Sequence, residues 1–236
     1  MIAMTAEPLR APSARRGRPP KGAPSLTRDA IVDATLKVID NEGIRAVSMR
    51  SVGRALRVDA KSLYNHVEGI DGLLDAVAEQ FLSGLVVPEH SGDTRRDLRA
   101  IADSFRTRAL VHPEAASLVL TRQLASFEGL APVESLMRIL IDAGCTGEQA
   151  VHLLRFLVAT LIGTLLREIS AAPTFGVSDS AAVDARQAAL TDSGLSTIEQ
   201  AAEHLARFDR TVEYDYSVDL AIDAVMARVD GRSSHK

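Results

Sequence analysis

The stretch Ser48–His66, S-M-R-S-V-G-R-A-L-R-V-D-A-K-S-L-Y-N-H, constrains the fold more than any other part of the chain. Met49, Val52 and Leu56 recur at i, i+3 and i+7, so the spacing predicts a short helix over 49–56 with one apolar face. Ser48 is its N-cap, because a serine hydroxyl accepts an orphan N–H of the first turn. Arg57-Val58-Asp59 makes a tight turn. Asp59 then caps a second helix that starts at Ala60 and carries Leu63, Tyr64 and Val67. Two helices joined by so short a turn cross steeply and share a small core. That is the geometry of a helix-turn-helix, whose second helix enters the major groove of DNA. A generic helical hairpin has the same local pattern, so the flanking sequence has to decide.

Charge decides much of it. The net charge of −4 argues against a nucleic-acid partner, but its distribution does not. Residues 1–67 hold 12 Lys+Arg and 6 Asp+Glu, net +6, whereas residues 68–236 hold 15 and 25, net −10. A basic module on an acidic body suits a molecule that faces phosphates with one end only. The single cysteine, Cys145, excludes an internal disulfide and suggests a reducing, cytoplasmic setting. No stretch reaches 18 uncharged apolar residues, and the first residues lack the apolar segment of a secretory signal. The longest apolar run, Phe156–Leu166, reads as a buried helix.

Residues 1–26 carry five prolines and few large apolar side chains, and read as an extended or disordered arm. From Arg10 to Arg28 there are six basic residues and no acidic one. Arg15, Arg16, Arg18 and Lys21 surround an R-G-R-P core that resembles the AT-hook, in which arginines enter a narrow A·T minor groove. The alternative is a solvated tail making non-specific phosphate contacts.

Thr27 opens a first long helix with Ile31, Ala34, Leu36, Val38 and Ile39 inward, ending at Gly43. A fourth helix runs from Gly72 through Leu73, Val77 and Phe81 to about Val87. The loop after Pro88 is the expected boundary, giving an arm (1–26), a DNA-binding domain (27–88) and a body (93–232). The body reads as all-helical, with helices over Thr94–Val111, Pro113–Leu120, Phe127–Ala143, Gly147–Ala171, Leu195–Phe208 and Glu213–Asp230. A Pro/Ser/Asp/Ala-rich loop fills 172–194, with at most one helical turn near Val183–Leu190. The helix at 147–171 is apolar on more than one face and so needs partners on two sides. The last helix has Val218, Ile222 and Val225 on one face and Asp215, Asp219 and Asp223 on another. These two helices either fill the monomer core or form a four-helix dimer interface.

The run Leu26–Ala34, Glu42-Gly43, Val47–Arg50, Ala55-Leu56, Ser62–Val67 and Leu73–Asp75 resembles the TetR family of bacterial transcriptional regulators. Glu213–Leu220 is similar to the last helix of members with a tetracycline-repressor-like C-terminal domain. The resemblance implies an N-terminal three-helix helix-turn-helix domain and a C-terminal helical ligand-binding and dimerisation domain. It also implies a homodimer on a palindromic operator of double-stranded DNA, released by a small-molecule effector. Carried over by position, it makes Ser48, Arg50, Ala60, Lys61, Tyr64, Asn65 and His66 the DNA-contacting residues. Lys61 suits a guanine O6/N7 edge or a phosphate, and Asn65 an adenine. Two departures stand out. Arg57 occupies a turn position where glycine is frequent; if that position needs positive φ, arginine costs on the order of 1 kcal/mol. Ile70 stands where a phosphate-binding lysine is common, and the free N–H groups at Gly69–Gly72 are the expected substitute.

The residues offer little to catalysis. No histidine pair has metal-ligand spacing, and there is no G-x-S-x-G or phosphate-cradling loop. No cofactor, metal or membrane is expected. Phe105, His112, Phe127, His152 and Phe156 are candidate lining of an effector cavity, although a lone histidine on an apolar face is more often a satisfied core residue. The expected function is that of a ligand-responsive regulator of repressor type. The alternatives are an effector-independent architectural protein using its arm and, more remotely, an enzyme with a DNA-binding module.

Overall fold

The computed structural model describes residues 26–87, 89–122, 128–169 and 176–233, and among them finds helices joined by turns. Four helices come first: α1 (Arg28–Glu42), α2 (Met49–Leu56), α3 (Ala60–Leu63) and α4 (Gly69–Ser83). The body follows with α5 (Thr94–Val111), α6 (Pro113–Thr121), α7 (Ala131–Asp142) and α8 (Gly147–Ile169). The remaining helices are α9 (Ser180–Thr191), α10 (Ser196–Gln200), α11 (Ala202–Ala206) and α12 (Arg210–Ser233).

Local chemistry sets most of the boundaries. The Thr27 hydroxyl accepts the Ala30 N–H at the start of α1, and Gly43 ends it at φ 86°. Asp93 caps α5 through the Arg96 N–H, and Asp179 caps α9 through the Ala182 N–H. Caps of this kind each contribute about 1 kcal/mol.

One continuous apolar core runs through α1–α8 and α12. Ile31, Ile39, Val52, Leu63, Leu73, Val77 and Phe81 fill its N-terminal half, and Leu140, Leu165, Ile222 and Val225 its C-terminal half. The Phe81 and Phe105 rings meet edge to face, 5.5 Å between centroids, at the junction of α4 and α5. The α9–α11 segment forms a satellite around Val183, Ala202, Ala206 and Phe208. A short parallel bridge between Val177 and Arg207 closes it.

The structure differs from the sequence reading in several places. The region 172–194 holds a full 12-residue helix, α9, rather than one turn. Its alanines and the Asp179 cap favour helix, whereas its scattered serines and aspartates hide the pattern. The helix expected over Leu195–Phe208 is broken into α10 and α11 at Ala201, and α4 stops at Ser83 rather than near Val87. The run Phe156–Leu166 is only partly buried: Leu157, Leu161, Ile162 and Leu165 face inward, while Phe156 and Leu166 are about half exposed. By length and composition α8 is apolar enough to cross a membrane. Here it packs against α5, α6, α7 and α12.

Candidate nucleic-acid interface

The helix-turn-helix is built around a reciprocal serine cap. The Ser51 N–H donates to Ser48 Oγ at 3.0 Å, and the Ser48 N–H donates to Ser51 Oγ at 2.9 Å. The Ser51 hydroxyl also donates to the Ala46 carbonyl, tying α2 to the preceding turn. The Ser48 hydroxyl is thus already engaged in holding the helix.

At the other end of α2, Gly53 allows the close crossing. A Cβ there would lie 3.0 Å from the Val58 carbonyl and 3.3 Å from Ala60. The Val58 N–H donates to Gly53 O at 2.9 Å, and the Arg57 N–H to Arg54 O at 3.1 Å. Arg57 itself is left-handed, with φ 58° and ψ 38°. The condition set by its position is therefore met, at about 1 kcal/mol of backbone strain.

Asp59 caps α3 through the Lys61 N–H, 2.8 Å from Oδ1. Regular helix ends at Leu63, which is fully buried, four residues after it starts. The chain continues in a turn in which the His66 N–H donates to Leu63 O. This is shorter than the helix through Val67 that the sequence suggests. Lys61, Tyr64, Asn65 and His66 are exposed together beside this turn, and Ala60 is half buried. Tyr64 is 60% exposed, an aromatic side chain left largely in solvent. Arg50 is exposed on α2, and so are Arg54 on the same helix, Arg45 in the turn before it and Arg57 in the turn after it, which the sequence reading did not nominate as DNA contacts. Arg50, Arg54 and Arg57 at i, i+4 and i+7 were the available signal. Arg15, Arg16, Arg18 and Lys21 lie outside the described residues.

The first turn of α4 offers no cation. Ile70 is exposed, the Gly69 N–H is taken by the Val67 carbonyl, and Asp71 places a carboxylate there. That corrects the expectation of a free phosphate cradle over Gly69–Gly72 at its first N–H.

Polar contacts bolt this head to the body. Arg122 reaches Asp71 at 2.8 Å and Asp75 at 3.6 Å, joining the end of α6 to the start of α4. His112 Nδ1 lies 2.9 Å from Asp40, and the Glu114 carboxylate accepts the Ile44 N–H. Arg108 of α5 donates to the Gln80 carbonyl at the end of α4, while within the head Arg28 of α1 pairs with Glu79 of α4. Burial lowers the Arg108 pKa.

The five candidate effector residues do not line one cavity. Phe105 is buried against Phe81, and His112 sits at the Asp40 contact. His152 and Phe156 share a groove of about 760 Å³ between α8 and α12, with Cys145, Gln149, Ala224 and Ala227. Phe127 lies outside the described residues. A small closed cavity of about 20 Å³ lies among α5, α7, α8 and α12, lined by Leu98, Ile101, Leu136, Thr160 and Val218.

Two family models match the chain: "Bacterial regulatory proteins, tetR family" over residues 31–77, and "Tetracyclin repressor-like, C-terminal domain" over residues 87–214. An HTH-type transcriptional regulator of Saccharopolyspora erythraea is 38% identical over 138 residues, 57% of this chain and 58% of that protein. The chain thus spans somewhat more than half the length of that relative. The class E tetracycline repressor protein of Escherichia coli is 27% identical, over 61% of this chain and 69% of its own. Among solved structures, apo ActR of Streptomyces coelicolor superposes with a TM-score of 0.76 at 24% identity, covering 88% of this chain and 98% of ActR. ActR in complex with actinorhodin gives 0.75 at 25% identity, covering 86% and 98%.

Proposed function

The chain belongs to the TetR family of bacterial regulators, with a tetracycline-repressor-like C-terminal domain, and on that premise we propose that it is a cytoplasmic repressor. In this reading it binds a palindromic operator as a homodimer and leaves it when a small-molecule effector binds the body. Residues 27–88 form the operator-binding module, 93–232 the effector-binding and dimerisation body, and 1–26 a basic arm. Membership makes it a DNA-binding, ligand-responsive regulator; the operator symmetry, the repressor sense and the oligomer are the proposal.

The observation that carries the reading is the exposed set Arg50, Lys61, Tyr64, Asn65 and His66 on a capped, closely crossed helix pair. A soluble surface gains nothing from an exposed tyrosine flanked by cations, whereas a major groove uses all of them. The dimer reading rests on α8 and α12. Phe156, Ala159, Gly163 and Leu166 form one outward stripe, and Tyr216, Leu220, Ala224 and Ala227 another. A Cβ at Gly163 would meet open space, which leaves room for a second helix. His152 and Phe156 then belong to the subunit seam rather than to an effector cavity. Relatives such as ActR, solved with actinorhodin, support a body that receives small molecules. The contacts of α4 with the end of α6 at Asp71 and Asp75, and with α5 at Gln80, are the proposed route by which such binding moves the heads.

Selection of duplexes from a randomised pool tests this. The expected product is an inverted repeat with half-sites about one helical turn apart, as a two-fold protein demands. A single asymmetric site, or no enrichment, overturns the homodimer–operator reading.

A further inference from the structure

We propose that Arg57, in the turn between α2 and α3, is a DNA-backbone contact whose guanidinium binds a phosphate at the rim of the major groove. The inference rests on the DNA-binding reading above. It starts from a backbone outlier. Seven described residues have positive φ: Gly43, Gly69, Gly92, Gly144, Gly176 and Gly194, and Arg57. The chain therefore places glycine wherever φ is positive, except here. Arginine is not among the residues that visit this region readily, which are glycine, asparagine and aspartate.

Nothing within the fold uses the side chain that causes the strain. The structural service of this position, ending α2, is performed by backbone: the Arg57 N–H on Arg54 O and the Val58 N–H on Gly53 O. Glycine would make both bonds without strain. The guanidinium itself is exposed and makes no hydrogen bond, ion pair or ring contact among the described residues. The nearest carboxylate in sequence, Asp59, is turned to the Lys61 N–H. A strained residue that persists without an internal use marks a use outside the chain.

Its place identifies that use. Arg57 extends the exposed basic edge of α2 formed by Arg50 and Arg54, and it precedes the helix that carries Lys61 into the groove. A side chain ahead of the groove-entering helix meets the sugar-phosphate rim rather than base edges. The first turn of α4, by contrast, presents Ile70 and Asp71 and no cation. Phosphate is the chemistry that matches a solvated arginine with no selectivity requirement.

The proposal predicts that stability and affinity move in opposite directions. Full-length protein carrying Arg57→Gly, Arg57→Ala or Arg57→Lys is titrated with a mixed-sequence duplex at graded salt, because a phosphate contact does not need the operator. Arg57→Gly is expected to melt at a higher temperature than the wild type. It should also bind roughly three- to tenfold more weakly at low salt, with the slope of log K against log salt shallower by about 0.9 per subunit. Arg57→Ala loses the same affinity without the thermal gain, and Arg57→Lys keeps the wild-type slope. An Arg57→Gly protein with wild-type affinity and slope overturns the proposal while leaving the DNA-binding reading intact. A wild-type protein that binds no duplex overturns both.

Discussion

Arg50 and Arg54 of α2, with Arg57 in the turn after it, and three of the five arginines of α5 show two uses of the same side chain. Arg95, Arg99 and Arg106 of α5 are all matched inside the molecule. Arg95 pairs with Asp223, and Arg99 with Asp103, Asp215 and Asp219. Arg106 grips Glu168 through two parallel bonds of 3.0 and 2.6 Å, with its guanidinium 4.3 Å from the centre of the Tyr214 ring. The Tyr214 hydroxyl donates to Asp103 at 2.9 Å. Burial, and then that hydrogen bond, push its pKa well above the ordinary tyrosine range. The ladder Arg95–Asp223, Arg99–Asp219, Arg99–Asp215 fixes α5 and α12 antiparallel and in register. Arg50, Arg54 and Arg57 have no such partners among the described residues, in a chain that carries more acids than bases.

The largest expected effect breaks the matched set at its most buried point. Glu168 is only 5% exposed, so Arg106→Ala leaves a carboxylate in the core without its cation. Such a change costs on the order of 3–5 kcal/mol, read as a fall in the urea midpoint, with the duplex-binding salt slope unchanged. A loss below about 1 kcal/mol would put this pair in the class of ordinary surface bridges.

Next comes the clamp that holds the segment between α4 and α5. Asp97 is buried and accepts the Ser91 N–H and hydroxyl, with His90 Nδ1 at 2.6 Å. Burial alone would raise its pKa, but the Ser91 and His90 hydrogen bonds outweigh it and the net value is lowered. A carboxylate with a lowered folded pKa contributes stability that is fully present above its unfolded value, near 3.9. That contribution disappears as pH falls through the folded value. Asp97→Asn should therefore cost roughly 2 kcal/mol at neutral pH. It should also flatten the wild-type loss of stability below about pH 4; a mutant as acid-sensitive as the wild type would place that loss elsewhere.

These two sites also mark what could be read from the chain. Thr27, Ser48, Asp59 and Gly43 act locally, and the helix starts and stops they set were legible. The Asp215, Asp219, Asp223 row was visible too, but its partners lie more than a hundred residues away on α5, and no periodicity announces them. Shorter separations, 62 residues for the Arg106–Glu168 pair and 51 for Arg122–Asp71, hide these contacts in the same way. Gly53 carries no local signal of its role, because the backbone it admits comes from the following turn. On the head, Lys61, Tyr64, Asn65 and His66, named through the family resemblance, are each exposed. The early end of α3 at Leu63 was not foreseen, since buried Leu63 and Val67 fit a longer helix equally well. The effector residues were chosen by type alone, and the fold scatters them.

On the unmatched side, Lys61→Ala should leave the urea midpoint unchanged, because the side chain is exposed and touches nothing it would strand. Binding to the selected operator should weaken by about 1–3 kcal/mol if Lys61 reads a guanine. In that case the loss is confined to one base position, whereas a phosphate contact weakens all duplexes equally and flattens the salt slope. A mutant that binds like the wild type would remove Lys61 from the interface.

The smallest effect tests whether matching as such matters. Asp219 sits 3.1 Å from Arg99, but its side chain is 60% exposed and Arg99 keeps Asp103 and Asp215. Exposed pairs contribute about 0–1 kcal/mol, and here two other carboxylates hold the guanidinium in place. Asp219→Asn should therefore shift the urea midpoint by less than about 0.5 kcal/mol, a difference that vanishes at high salt. A cost approaching that of Arg106→Ala would mean that the ladder acts as one unit, with register lost when any rung goes. The contrast between α2 and α5 would then be one of cooperativity and not of burial, and the double mutant with Asp223→Asn would show a coupling energy well beyond additivity.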